Sequence, residues 1–224
     1  MRRRSGARSY PGAMPAIYLI RHGKASPEAE DYDELSPTGH EQARLLGAEL
    51  KRRDLRIGAV ATGALRRQRQ TAAAALAEAG IDTAPATDPR WDEYDHLGLL
   101  GSHLTGTGTL QERLDAALTS WMGAGGSGPG TWEGFREGVN AALSDLVAGL
   151  GRGETALVFT SAGVVAAVCS TLLGASSAGF LAMNRVVVNG SVSKLLHGRG
   201  GTQVLSFNDH AHLEQGGPAL MTYR

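Results

Sequence analysis

With 224 residues, 42% of them hydrophobic, and 22 basic side chains balanced by 22 acidic ones, the chain suffices for one well-cored domain and has no bulk charge to hold nucleic acid or an acidic membrane. Its single cysteine, Cys169, excludes an internal disulfide and suits a reducing cytoplasm. No apolar run approaches a membrane span, and the basic opening Met1-Arg2-Arg3-Arg4 lacks the apolar stretch that a signal peptide needs next. Residues 1–14 read as a disordered extension or a mis-assigned start, with Met14 the alternative initiator, and 15–224 as a single domain.

The first element is a buried strand, Ala16-Ile17-Tyr18-Leu19-Ile20, which runs straight into Arg21-His22-Gly23-Lys24. That order puts two nitrogenous side chains at the carboxyl edge of a sheet, where open α/β sheets bind ligands. His22 can attack phosphorus through one ring nitrogen when a hydrogen bond at the other fixes the neutral tautomer. Arg21 offers a planar fork matched to phosphate oxygens, and Gly23 lets a ligand approach the backbone. Residues 25–33 form a polar loop with Glu28, Glu30 and Asp31 near Lys24. A helix follows, capped by Ser36 before Pro37 or by Thr38 in a capping box with Glu41. Ala43, Leu46, Gly47 and Leu50 form its apolar stripe, and Lys51, Arg52 and Arg53 close it.

Residues 57–61 read as a second strand, leading into a helix that ends at Gly80. The amino end of that helix offers N–H groups to an anion. Residues 82–87 make a short third strand before a loop, 88–95, that contains Trp91-Asp92-Glu93. A Trp beside a carboxyl supplies the partial desolvation that raises an acid's pKa. Periodicity then weakens: His96, His103 and the Gly/Thr run 105–109 read as loop, 111–122 as a helix with Leu114 and Leu118 on one face, and 123–130 as a Gly/Ser/Pro linker. The strongest amphipathic helix covers 131–150, with Phe135, Val139, Ala142, Leu143 and Leu146 on one stripe. An apolar strand at 155–160 turns at Ser161-Ala162-Gly163 into a helix reaching Leu173. Strands are expected within 183–197 and at 204–207, and His210 and His212 lie in the tail. No third ligand is spaced to join any histidine pair, so no metal site is expected. Alternating strands and helices imply an α/β fold, three layers α/β/α, with a mainly parallel sheet and helices on both faces.

Four stretches stand in a telling order: Leu19-Ile20-Arg21-His22-Gly23, Leu35-Ser36-Pro37-Thr38-Gly39, Leu65-Arg66-Arg67-Gln68-Arg69-Gln70-Thr71-Ala72 and Trp91-Asp92-Glu93. With these landmarks the chain resembles the histidine phosphatase superfamily, also called the phosphoglycerate mutase-like family, over most of its length. The resemblance implies a cofactor-independent enzyme in which His22 carries a phosphohistidine and Arg21 and Arg67 clamp the phosphoryl group. Glu93, or Asp92 beside it, is the implied proton donor, and a cap insertion at about 94–130 covers the pocket and selects the substrate. Two departures stand out. Gly63-Ala64 replaces the family's usual Ser-Pro, and Ser161 stands where the second catalytic histidine belongs. Ser161 can cap its helix and still donate its hydrogen to phosphate. The implied function is hydrolysis of a small phosphomonoester or of a protein phosphohistidine. The alternatives are mutase-type phosphoryl transfer, or a weakly active module that binds a phosphorylated ligand. No nucleic-acid or membrane partner is expected, and a homodimer is left open.

Overall fold

The computed structural model describes residues 14–26, 33–101 and 109–223. The expectations for residues 1–13, for Glu28, Glu30 and Asp31, and for His103 fall outside them. A six-stranded sheet has the order β3-β2-β4-β1-β5-β6. β1 (Ala16–Arg21), β2 (Ile57–Thr62), β3 (Ala86–Thr87) and β4 (Thr155–Thr160) run parallel, β5 (Val192–Gly198) is antiparallel to β1, and β6 (Gly201–Asp209) is antiparallel to β5. The carboxyl ends of β2, β4 and β1 therefore lie side by side, and the turns that follow them share one edge.

β1 is buried at every position. Ala16, Tyr18 and Ile20 pack toward one helical layer, and Ile17 and Leu19 toward the other. A strand covered on both faces cannot afford a polar alternate, which is why this segment is apolar throughout. β4 repeats the arrangement with Leu157 and Phe159 on one side and Ala156 and Val158 on the other. Each of the larger aliphatic or phenyl side chains contributes about 1.5–3 kcal/mol on burial, so the two central strands anchor the domain.

One layer holds α1 (Pro37–Arg53) and α2 (Arg66–Ala79), which lay Leu46, Leu50, Ala72, Ala75 and Leu76 on the sheet. Ser36, not Thr38, caps α1, because its Oγ accepts from the Gly39 N–H at 3.1 Å. The opposite layer holds α5 (Trp132–Ala148) and α6 (Ala162–Leu172), packed through Val139, Leu143, Val164, Val165 and Val168. The cap region contains α3 (His96–Gly101), which begins where a loop was expected, and α4 (Leu110–Gly123). α4 is seated by Leu114 and Leu118 against Tyr94, Ala166, Ala167 and Phe180. Among the described residues no helix is long and apolar enough to cross a membrane.

The segment 183–197 departs from expectation. Its first residues finish a helix, α7 (Ser177–Val186), and only Val192–Gly198 is strand. Phe180 and Asn184 are the buried positions of α7, one turn apart on a single face. The β-branched run after Met183 is not paired, because Val188 N–H binds the Asn208 side chain instead of a neighbouring strand. The third strand shrinks to Ala86–Thr87, and the last one extends to Gly201–Asp209. A short helix, α8 (Ala211–Glu214), buries Leu213 and His212 against the body.

Candidate active site

β1 delivers Arg21 and His22 to the carboxyl edge with only 7% and 6% of their surface exposed. His22 is fixed at both ends. Its backbone N–H donates to Thr160 O at 2.8 Å, and its carbonyl accepts from Asn189 Nδ2 at 3.1 Å. Its Nδ1 lies 2.7 Å from Gly23 O. A carbonyl only accepts, so Nδ1 carries the ring hydrogen and Nε2 keeps a lone pair. That lone pair receives the Arg67 Nε–H at 3.1 Å. The tautomer that a phosphorus nucleophile needs is thus set by the residue next to it in sequence. Gly23 itself has no room for a side chain, since a Cβ would sit 2.5 Å from Gly39 O, and its N–H donates to Thr71 Oγ1 on α2 at 3.0 Å.

Arg67 is 6% exposed at the start of α2. While Nε points at His22, Nη1 donates to Asp33 Oδ1 at 2.7 Å. Asp33 also accepts from Arg66 N–H at 2.6 Å and from Arg67 N–H at 3.5 Å. The amino end of α2 therefore already holds an anion from the chain itself, which corrects the expectation that its N–H groups stand open to phosphate. What remains is the guanidinium edge formed by Nε and Nη2, and it faces the nucleophile. Arg66 pairs with Glu34 at the surface, at 2.9 Å. Arg21 sends Nη1 to Val187 O, while its backbone is held by Ser191 O and by Gly190 N–H. His212 supports this loop from beneath, its Nε2 3.1 Å from Gly190 O, and burial lowers its pKa.

The loop after β3 crosses the ends of β2 and β4. Trp91 is 1% exposed, and its carbonyl accepts from Thr160 Oγ1 at 2.6 Å and Gln68 Nε2 at 3.1 Å. Asp92 and Glu93 then separate in role. Asp92 Oδ1 accepts from Ala64 N–H at 2.6 Å and ties the loop to the start of α2, and burial raises its pKa. Glu93 reaches the amino end of α6, where Oε2 accepts from Gly163 N–H at 3.2 Å and Oε1 is buried with no hydrogen-bond partner among the described residues. Gly163 makes this approach feasible: a Cβ there would lie 2.2 Å from Glu93 Oε1 and 2.3 Å from the Tyr94 ring. Ser161, fully buried, occupies the N-cap position of α6 without a side-chain cap bond, and its Oγ accepts from Gln68 Nε2 at 2.9 Å.

The fold thus gathers Arg21, His22 and Arg67 in direct contact or adjacency, and sets Glu93 and Ser161 at the neighbouring end of α6. Asp33 and Gln68 carry contacts that no local pattern in the sequence signals. Among the described residues no group of three or more His, Cys, Asp or Glu is placed to hold a metal ion.

No curated protein matches the chain. Solved structures do, and the three that follow share identities that speak for the fold alone. Phosphoglycerate mutase from Bacillus anthracis str. Sterne superposes with a TM-score of 0.66 at 19% identity, over 91% of this chain and 96% of the other. Bacillus stearothermophilus YhfR gives 0.67 at 21% identity, over 89% and 100%. A phosphoserine phosphatase mutant from Entamoeba histolytica gives 0.64 at 19% identity, over 89% and 100%. The sequence profile of the histidine phosphatase superfamily (branch 1) matches residues 17–210. That span runs from the strand that carries His22 to the end of the sheet, and the chain belongs to the histidine phosphatase superfamily.

Proposed function

We propose that the protein is a phosphatase that hydrolyses a phosphomonoester through a phosphohistidine on His22. The observation that carries this is the His22 Nε2 lone pair held 3.1 Å from the Arg67 Nε–H, with Nδ1 tied to Gly23 O. In the first half-reaction the Arg67 Nε–H leaves Nε2 for a phosphoryl oxygen, and Nε2 forms a bond to phosphorus as the ester P–O bond breaks. Glu93 gives its proton to the departing oxygen. In the second half-reaction a water oxygen attacks phosphorus, the P–Nε2 bond breaks, and the water proton passes to the Glu93 carboxylate. Arg21 and Arg67 neutralise the phosphoryl oxygens throughout, so catalysis is mainly positioning and charge stabilisation. Ser161 donates its hydroxyl hydrogen to the same group. We place the protein in the cytoplasm, on its lone buried cysteine.

A second reading, a weakly active module for a phosphorylated ligand or phosphoprotein, is favoured by Ser161 alone. A neutral donor there gives a weaker bond than a charged one, by roughly twofold in strength. Mutase-type transfer ranks third, because it would have to retain and re-use a phosphorylated intermediate without a second histidine.

The test is an acid quench of wild type and His22→Ala after mixing with radiolabelled substrate. Wild type carries an acid-labile, base-stable label, and His22→Ala carries neither label nor activity. Near wild-type turnover by His22→Ala would refute the assignment.

A further inference from the structure

Beside the acid loop lies a cavity of about 750 Å³, bounded by Glu93, Tyr94, Leu99, Trp121, Phe135 and the backbone of Gly138. That size suits a small organic ligand, for which pockets run about 300–1,000 Å³. Neither Arg21, His22 nor Arg67 lines it, whereas Glu93 does. The walls are held in place. Tyr94 OH accepts from Asn184 Nδ2 at 3.1 Å, its ring lies 5.6 Å from Trp121 and 5.9 Å from Phe135, and Trp121 Nε1 donates to Gly130 O at 2.8 Å. The aromatic walls offer flat apolar surface.

Charge narrows the ligand further. Asp92, Glu93 and Asp95 border the cavity, and among the described residues the one cation lining it, Arg90, is already paired with Asp88 at 2.6 Å and Asp145 at 2.8 Å. Among the described residues an anionic ligand would meet carboxylates and no uncommitted cation. A neutral or cationic ligand with an aromatic face would meet matching surface, with Glu93 at the cavity wall.

We propose that this cavity seats the alcohol portion of the substrate, and that this alcohol is aromatic or otherwise apolar and carries no negative charge. The inference rests on the phosphatase reading and names the substrate class of that same site. In the phosphatase reading Glu93 is the group that the two regions share, since it lines the cavity and serves as the acid. The P–O bond breaks on the His22 side as P–Nε2 forms, and the freed alkoxide oxygen takes the Glu93 proton at the cavity wall. A leaving group such as glycerate or serine fits poorly, being small and carrying a carboxylate toward three acids.

Gly138 provides the test. It lies within α5, and a Cβ there meets nothing within 4 Å. Gly138→Leu therefore adds bulk to the cavity from a position where the first added carbon meets nothing, and replacing a helical glycine favours the helix. Two measurements on the full chain decide. In calorimetry, 2-naphthol binds wild type and not Gly138→Leu. In kinetics, the wild-type preference in kcat/KM for 2-naphthyl phosphate over glycerol 3-phosphate falls about tenfold or more in Gly138→Leu, while inhibition by vanadate stays unchanged. The ratio cancels the intrinsic reactivity of aryl esters. Gly138→Ala, one methyl larger than wild type, shifts both readouts less and in the same direction, which keeps the test available should the leucine variant misfold. Failure of 2-naphthol to bind wild type overturns the proposal, as does a selectivity ratio indifferent to residue 138. Binding that depends on Gly138 in a protein with no turnover upholds the cavity's ligand class and removes the phosphatase reading instead.

Discussion

Asp33 offers the sharpest test of how the site is held. Its two oxygens do different work: Oδ2 accepts from Arg66 N–H at 2.6 Å, and Oδ1 from Arg67 Nη1 at 2.7 Å. The first contact caps α2, and the second turns the guanidinium so that Nε meets His22 Nε2. Removing a helix cap costs about 0.5–2 kcal/mol. In a domain of this size each kcal/mol lowers Tm by about 2–4 °C. Releasing Arg67 restores rotamer freedom worth about 2 kcal/mol for a long cationic side chain. If that freedom must be lost again in the transition state, kcat falls by about thirtyfold, at about 1.36 kcal/mol per decade. Asp33→Ala is therefore expected to lose a few degrees of Tm and about one order of magnitude or more in kcat on a saturating aryl phosphate. Asp33→Asn is not conservative here. Both carboxylate oxygens face donors, and the amide must turn its NH₂ toward one of them. Its expected kcat lies between those of wild type and Asp33→Ala. Thermal denaturation and steady-state kinetics on the same preparations check both effects, with Arg67→Ala as the limiting case. A fall in Tm with unchanged kcat would show that Asp33 is a cap and nothing more, and the positioning argument would fail.

Ser161→His is expected to raise turnover by supplying a charged donor, and Ser161→Ala to lower it less than His22→Ala does; equal rates for wild type and both Ser161 variants would leave Ser161 a purely structural residue. Gly163→Ala places a methyl 2.2 Å from Glu93 Oε1, so it should cost about 1–3 kcal/mol in stability and reduce kcat with the acid displaced; an unchanged Tm and kcat would mean that Glu93 does not depend on this seat. Hydrogen bonding to Arg52, with that to Arg53, lowers Glu49 from 4.5 to about 2. Its folded pKa is depressed, so its contribution is complete above about pH 4.5 and fades as pH falls toward 2. Tm measured against pH should fall less steeply across that window in Glu49→Gln than in wild type, and identical slopes would contradict the assignment.

Local chemistry made much of the architecture readable. An apolar run ending in Arg21-His22-Gly23 specifies a doubly covered strand with a polar end, because the alternatives would bury unpaired charge or expose five apolar residues. The stripe at Ala43, Leu46 and Leu50 and the one along Phe135 to Leu146 specified two packed helices for the same reason. Residue type misled where tertiary contacts overrode it. The β-branched 186–188 looks like strand, yet it leaves α7 and is satisfied by Asn208 from across the sheet edge. The site divides in the same way. His22, Arg67 and Glu93 were expected from motif order, His22 just past a strand end, Arg67 at a helix start and Glu93 in the loop after Trp91. The contact of Arg67 with His22, the division of labour between Asp92 and Glu93, and the carboxylate of Asp33 at the head of α2 depended on groups far apart in sequence. Asp33 and Arg67 are 34 residues apart, and Gln68 and Ser161 are 93 apart. No periodicity encodes such pairs; only closing the sheet brings them within hydrogen-bond range.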